Sequence, residues 1–165
     1  MIKEITFPSS AGISGNEKGR YYRDSFSVNI SQQNLNAIDV YYAIFAHLPK
    51  PVIIAMKIRN KIMGWLGFSA GATEMSLPKE QIATGKQAGF LVFESVSETE
   101  VVAAAYEKNM DMWLSVLKLS EREYAVSTLV NLKTRSGRLY MTFIKPFHKL
   151  VAKFCIAKAL RAKRI

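Results

Sequence analysis

The sequence predicts an α+β fold in which a curved antiparallel sheet wraps around a long C-terminal helix, with two shorter helices after the first strand. Three features of the chain predict this fold. Apolar residues recur at helical spacing over residues 37–65, directly after one strand-like run. Strand-like runs joined by short turns then fill residues 91–144. A basic amphipathic segment follows from Pro146, and a helix there would cover one face of the sheet.

The composition is that of a folded protein with one hydrophobic core. The chain has 165 residues, of which 49% are hydrophobic and 22% charged, whereas disordered chains are poorer in apolar residues. A single domain over residues 1–165 is expected at this length. Residues 1–20 are rich in Ser and Gly and are predicted to form a loosely packed N-terminal segment.

The formal net charge of +10 favours anionic partners, namely nucleic acid or an acidic membrane surface. Such a partner would bind the basic side chains of the last predicted helix, which are Lys149, Lys153, Lys158, Arg161, Lys163 and Arg164. The alternative is a basic helix face that contacts only solvent. No established nucleic-acid-binding motif accompanies the cluster, so charge alone supports this interpretation.

Cysteine content and hydropathy predict a cytoplasmic protein. Cys155 is the single cysteine, so no intramolecular disulfide can form and a reducing compartment is expected. The N-terminal residues lack the basic and apolar regions of a signal peptide. The most hydrophobic segment, Pro51–Phe68, is interrupted by three basic residues, so a transmembrane segment is not expected.

The first predicted elements are one strand and a helix. Tyr22–Ile30 alternates like a strand, and one of its faces collects Tyr22, Asp24, Phe26 and Val28. Asn36 and Asp39 have the spacing of a capping box, which places the start of a helix at Asn36. Pro49 and Pro51 end that helix, because proline has no amide donor and restrains the preceding residue.

A second helix is predicted from about Val52 to Trp65, followed by the longest loop of the chain, Ser69–Gly89. This loop has no strong periodicity, apart from one short helical turn around Lys79–Ile82. Long loops in compact domains often have a function. Two interpretations of it stay open, a lid over a cavity and ordinary surface disorder.

Five strands are predicted after this loop: Leu91–Val96, Glu100–Tyr106, Asp111–Leu119, Glu123–Leu132 and Arg138–Ile144. The short turns between them favour successive antiparallel hairpins. A tight turn at Arg135–Arg138 would join the last two strands. The final helix is predicted to start at Lys145 or Pro146, since proline in the first helical position loses no needed hydrogen bond.

Several short motifs occur in a characteristic order over residues 21–159. They are Tyr22-Arg23-Asp24-Ser25-Phe26, Leu48-Pro49, Ile58-Arg59-Asn60, Met110-Asp111, and Gly137-Arg138-Leu139-Tyr140 leading to Pro146-Phe147-His148. In these the chain resembles an uncharacterised bacterial family, a domain of unknown function, within the START-like (SRPBCC, birch-pollen-allergen-like) helix-grip superfamily. The resemblance implies a helix-grip fold and apolar ligand binding, lipid or polyketide handling, or cyclase-type chemistry.

One segment departs from that family's pattern. Where the family often has a His-Leu-Asp-Phe-Arg-like run, residues 109–113 read Asn-Met-Asp-Met-Trp. The histidine and the arginine are absent, so any role of those two side chains does not carry over to this chain.

Seven side chains are candidate ligand-binding residues: Arg59, Glu94, Asp111, Trp113, Arg138, Tyr140 and His148. Arg138 and Tyr140 lie two apart on a predicted strand and so project from one face, where with Asp111 they would orient a polar ligand end. An inward Glu94 would have a raised pKa and need a basic partner such as Arg59. The alternatives are structural ion pairs, a solvent-facing pair that fixes the register, and aromatic or histidine side chains that only pack.

A binding module for an apolar or amphipathic small molecule in an internal cavity is the function that the sequence favours. The first alternative is charge-driven binding of nucleic acid or acidic membrane. The second is a cyclase- or hydrolase-like enzyme with Asp111 or Glu94 as base. No nucleophile motif, catalytic set or cofactor loop is recognisable. His47, His148 and Cys155 are not spaced as zinc ligands, so no metal or cofactor is expected.

Overall fold

An antiparallel sheet covered on one side by helices forms the framework of the chain, which the computed structural model describes over residues 1–65 and 73–165. Seven strands lie in those ranges: β1 Ile2–Glu4, β2 Tyr21–Asn29, β3 Gln87–Ala88, β4 Leu91–Val96, β5 Glu100–Tyr106, β6 Met110–Lys118 and β7 Glu123–Leu132. Three α-helices lie there too: α1 Ala37–Phe45, α2 Lys50–Trp65 and α3 Arg135–Arg161. The prediction of an α+β fold with a long C-terminal helix is confirmed.

The sheet is open, with the strand order β1-β2-β7-β6-β5-β4-β3. Strands β4 to β7 are successive antiparallel hairpins, as the short turns predicted. Strand β2 inserts beside β7, with Tyr21 opposite Asn131 and Asn29 opposite Glu123. Strand β2 therefore lies between β1 and β7, which brings residues far apart in sequence onto adjacent strands.

The start of α1 follows from its capping residues, as predicted. The Asn36 side chain accepts a hydrogen bond from the Asp39 amide at 2.9 Å, and the Asp39 carboxylate accepts one from the Asn36 amide at 3.0 Å. Together these bonds satisfy two amides at the helix start. Pro51 lies in the first turn of α2, where its missing amide donor costs nothing.

The prediction of a strand at Arg138–Ile144, preceded by a tight turn, is wrong, because α3 already begins at Arg135. Thr134 caps this helix: its hydroxyl accepts a hydrogen bond from the Gly137 amide at 3.1 Å. Pro146 lies inside the helix and not at its first position. It is on the exposed side, where water can hydrate the carbonyl that loses its amide partner.

The helical face of the sheet carries the main core. Side chains from β2, β4, β6 and β7 pack there against α1 and α3, and the fully buried members include Phe26, Val28, Tyr41, Ile44, Phe93, Val116, Tyr124 and Ile156. The Tyr41 and Phe93 rings meet edge to face, with centroids 5.4 Å apart. This face is the one on which a cavity beneath α3 can form.

The opposite, outer face is covered by the N-terminal segment. Ala11 and Ile13 are buried there against a second cluster that includes Trp113 and Leu129. The Gly12 amide donates to the Glu100 carboxylate at 3.0 Å. The sequence predicted loose packing for residues 1–20, whereas part of this segment is an integral cover of the sheet.

The predicted loop Ser69–Gly89 lies partly outside the described residues, at positions 69–72. Its remainder contains a 3-10 turn at Lys79–Gln81, close to the predicted helical turn, and then β3. The Tyr41 hydroxyl donates to the Met75 carbonyl at 2.7 Å, which fixes this segment against α1.

In the described ranges no one helix combines the length and apolarity needed to cross a membrane. The helices α1 and α2 meet that test only as a pair, and they are bent by 76° at the break between them.

Candidate functional site

A pocket of about 240 Å³ lies between the helical face of the sheet, α2 and α3. Most of its lining is apolar: Phe26, Phe45, Leu48, Val52, Ala55, Met56, Met75, Phe90, Met112, Leu114, Val126, Ile144, Phe147, Val151, Ala152, Cys155 and Ile156. Four polar side chains complete it, namely Arg59, Thr128, Tyr140 and His148. An apolar lining with a few polar groups is the usual composition of a small-molecule site.

One polar pair joins α2 to α3 at the border of the pocket. Arg59 Nε donates a hydrogen bond to the Tyr140 hydroxyl at 2.9 Å, and the guanidinium carbon lies 5.7 Å from the Tyr140 ring centroid. Arg59 Nη1 also donates to Asn60 Oδ1 at 2.8 Å. The pair places a fixed positive charge beside the pocket and connects the middle of α2 to α3.

A second polar group extends from the pocket into the sheet. His148 Nε2 lies 3.2 Å from Thr128 Oγ1 and 3.6 Å from Asp24 Oδ2. The Tyr22 hydroxyl donates to the same Asp24 oxygen at 2.5 Å. Burial, followed by the bond to Asp24, raises the pKa of Tyr22 well above its usual range, so the phenol stays protonated and keeps donating. Asp24 therefore accepts the hydrogen bond that orients Tyr22, and it lies within ion-pair distance of His148.

The Asp24 carboxylate is deeply buried, with 1% of its side chain exposed. Its Oδ1 atom has no hydrogen-bond partner among the described residues. A buried carboxylate costs free energy unless donors surround it, so an oxygen left without a donor at this depth needs a structural or functional explanation. This oxygen is an unused acceptor close to the polar wall of the pocket.

Three of the seven predicted ligand-binding residues lie together on the pocket: Arg59, Tyr140 and His148. Arg138 is not in its lining, because on a helix residues two positions apart point to nearly opposite sides. The expectation that Arg138 and Tyr140 share a strand face is therefore wrong.

The other three predicted residues belong to the outer face of the sheet. Trp113 packs in the cluster beneath the N-terminal segment, with its ring centroid 5.7 Å from that of Tyr106. Glu94 accepts a hydrogen bond from the Tyr106 hydroxyl. Asp111 pairs with Lys133, with Nζ 3.0 Å from Oδ1. Neither of the carboxylates considered as a base, Glu94 and Asp111, lines the pocket.

Sequence reasoning did not select Asp24, Tyr22 or Thr128. A usable signal was present for Asp24, because the alternation of β2 places it on the same face as Phe26 and Val28. A carboxylate on a face that is otherwise apolar indicates a buried polar site. Thr128 had no comparable signal, since its position depends on the pairing of β7 with β2.

A second cleft of about 430 Å³ adjoins the pocket and shares Phe45, Leu48 and Met75 with it. It lies between the α1–α2 turn and residues 73–78, and it is more open and more polar. The smaller pocket is the better candidate site because its apolar lining removes more of a ligand's surface from water. In the part of the chain that is described, no three His, Cys, Asp or Glu side chains group as metal ligands would.

Cys155 provides a chemical probe of the pocket that it lines. Burial raises the pKa of its thiol to about 11 from a usual value of 9.0. Because only the thiolate reacts, we expect iodoacetamide to modify the folded protein at pH 8 about 100-fold more slowly than an exposed cysteine. Mass spectrometry over time measures both rates, with the urea-unfolded chain as the control. Equal rates in the folded and unfolded states would contradict the buried position.

A family model matches residues 17–155 of the chain. The chain belongs to the family described as "Protein of unknown function (DUF2867)". The span matched by DUF2867 contains every polar residue of the pocket together with Tyr22 and Asp24, and it excludes most of the segment on the outer face. Comparison with the curated proteins and with the solved structures gave no match.

Proposed function

We propose that this DUF2867 protein binds a small apolar or amphipathic molecule in the pocket between the sheet, α2 and α3. The observation that carries the proposal is the lining, in which apolar side chains surround about 240 Å³ and polar groups are few. Transfer of apolar ligand surface out of water supplies the driving force, at about 25 cal/mol per Å².

The polar groups favour a ligand with one polar end. The Arg59 guanidinium favours a carboxylate, a carbonyl or another acceptor at the border of the pocket. His148, which lies within hydrogen-bond distance of Thr128, offers a second polar contact further along α3. These groups fix the orientation of a ligand, whereas the apolar lining supplies most of its affinity.

The volume of the pocket limits the size of the ligand. Sites for drug-sized molecules usually measure about 300–1,000 Å³, and this pocket, at about 240 Å³, is smaller. A molecule with one ring or a short aliphatic chain fits this volume. Longer chains would need α2 to move outward.

The proposal extends to a helix-grip arrangement of the START-like kind, in which the sheet wraps α3 and leaves an apolar interior. Three observations support it: the sheet is antiparallel throughout, α3 is 27 residues long, and its C-terminal half enters the main core through Cys155 and Ile156. Binding of apolar ligands is what that resemblance implies.

Filling the pocket is expected to abolish binding. Organic extraction of the purified protein followed by mass spectrometry identifies the bound molecule, and the Ala152→Leu variant places a larger side chain in the lining. We expect at least a roughly tenfold loss of bound molecule, because the new atoms occupy ligand volume.

Ala157→Leu is the matched control, since Ala157 is half-buried on the same helix but outside the pocket lining. It should retain the ligand. Thermal unfolding of both variants separates a loss of binding from a loss of folding. Recovery of the same amount of ligand from Ala152→Leu, or of none from the wild-type protein, would count against the proposal.

A further inference from the structure

Helix α2 carries an exposed apolar stripe on the side away from the pocket. Its members follow one another at intervals of four, four and three residues, which places them along one side of the helix. They are Ile54, Ile58, Ile62 and Trp65, with exposed fractions of 57%, 57%, 50% and 89%. Only Val52 and Met63 of this helix are buried, so most of its apolar surface faces solvent.

Helix α3 carries a second stripe with the same spacing. It consists of Leu139, Phe143, Phe147 and Leu150, which are between 62% and 68% exposed. Of these, only Phe147 also reaches the pocket. Scattered exposed apolar residues are ordinary, but runs along two neighbouring helices mark an interaction surface.

The charged residues of these two helices are all basic. Helix α2 contains four Lys and Arg residues and α3 contains seven, of the 23 in the chain, and neither helix contains Asp or Glu. Lys57 and Lys61 are exposed next to the α2 stripe. Lys153 is exposed on α3. The surface therefore combines apolar side chains on both helices with the exposed lysines of α2. On α3, Lys149 pairs with Glu4, and Lys153 Nζ lies 5.3 Å from the Phe26 ring centroid.

We propose that α2 and α3 dock this protein onto a lipid bilayer that contains anionic lipids. The stripes would enter the interface between headgroups and acyl chains, and the lysines would contact lipid phosphates. This inference does not depend on the ligand proposed for the pocket.

The charge distribution argues against the other occupants of this surface. A second copy of the chain would bring two basic faces together, and like charges oppose such an interface. Nucleic acid would neutralise the charge but would leave the aliphatic side chains of both stripes in water. An acidic bilayer matches both properties at once.

Co-sedimentation with vesicles tests the proposal. We expect the wild-type protein to bind vesicles of equal parts phosphatidylglycerol and phosphatidylcholine at least tenfold more tightly than vesicles of phosphatidylcholine alone. Added salt should weaken the binding. Fluorescence gives an independent readout, because Trp65 is exposed and Trp113 is buried. Emission should shift to shorter wavelength on binding, and the shift should disappear in Trp65→Phe.

Two double variants test the apolar and the charged residues of the surface separately. Phe143→Ser with Leu150→Ser removes apolar side chains that do not line the pocket, and Lys57→Glu with Lys61→Glu reverses charge. Each is expected to weaken binding to the acidic vesicles at least tenfold. The control for charge is Lys86→Glu with Lys108→Glu, two exposed lysines outside the helices, and the control for apolarity is Leu119→Ser. Both controls should bind like the wild type.

Several outcomes would overturn the proposal. One is equal binding to both kinds of vesicle, and another is full binding by the two double variants. A wild-type dimer in size-exclusion chromatography that dissociates in Phe143→Ser with Leu150→Ser, without vesicle binding, would assign the surface to a second copy. Salt-sensitive binding of duplex DNA without vesicle binding would assign it to nucleic acid. Ligand binding in the pocket is tested separately by extraction, so the vesicle and DNA experiments neither support nor contradict the proposed function.

Discussion

Replacing Ile13 by alanine is expected to destabilise the protein by about 3 kcal/mol, because a buried Ile→Ala change typically costs about 2–5 kcal/mol. Ile13 has no exposed surface, although it lies in a segment without regular secondary structure. It packs with Trp113 and Leu129 on the outer face of the sheet. The lost side chain would leave a void that the sheet cannot close, since the strands are fixed by their hydrogen bonds.

Urea unfolding monitored by circular dichroism measures the loss. Ile54→Ala is the matched control, because the same atoms are removed from a side chain that is 57% exposed. Its free energy of unfolding should change by less than about 0.5 kcal/mol. If the two variants were equally stable, the N-terminal segment would not be a structural cover of the sheet.

Replacing Gly137 by alanine is expected to destabilise the protein by about 2 kcal/mol, within the usual range for overpacking. A Cβ atom on Gly137 would lie 2.6 Å from the Asn109 carbonyl oxygen, which is part of the backbone and cannot move aside easily. The same carbonyl accepts a hydrogen bond from the Lys133 amide at 3.0 Å. The junction between β7 and α3 therefore depends on the absence of a side chain at this position.

The decisive observation is whether Gly137→Ala lowers or raises the free energy of unfolding. In a helix without such a contact, Gly→Ala stabilises by about 1 kcal/mol. A more stable Gly137→Ala protein would show that the helix start does not press against Asn109. Arg135→Ala, at an exposed position in the same turn, is the control and should change the stability by less than about 0.5 kcal/mol.

Local signals account for the parts of the fold that the sequence predicted correctly. The Asn36 cap and the hairpins of β4 to β7 each depend on residues close together in the chain. The segment Arg138–Ile144 was misassigned because its apolar residues satisfy both periods. Leu139, Met141 and Phe143 alternate like a strand, while Leu139 and Phe143 also continue the exposed stripe of α3. The N-cap at Thr134 favours the helix over the strand, and a threonine before a helix is a signal that the sequence itself contains.

Non-local pairing limits what the sequence can say about the site. Arg59, Tyr140 and His148 line one pocket, although nothing in the sequence grouped these three with one another. Asp111 and Trp113 occupy the other face because the register of β6 places Met112 inward. A shift by one residue would exchange these faces. Asp24 meets His148 only because β2 lies beside β7 and under α3.

The sparse attachment of α2 has a kinetic consequence. Val52 near its start and Met63 near its end are its buried residues, and the Arg59–Tyr140 hydrogen bond connects it to α3 between them. Elements with few buried contacts open locally at a much lower free energy than the whole fold. A ligand of the kind proposed for the pocket would thus enter and leave by transient displacement of α2 while the strands of the sheet stay paired. Its residence time would then be governed by that local motion and not by global unfolding.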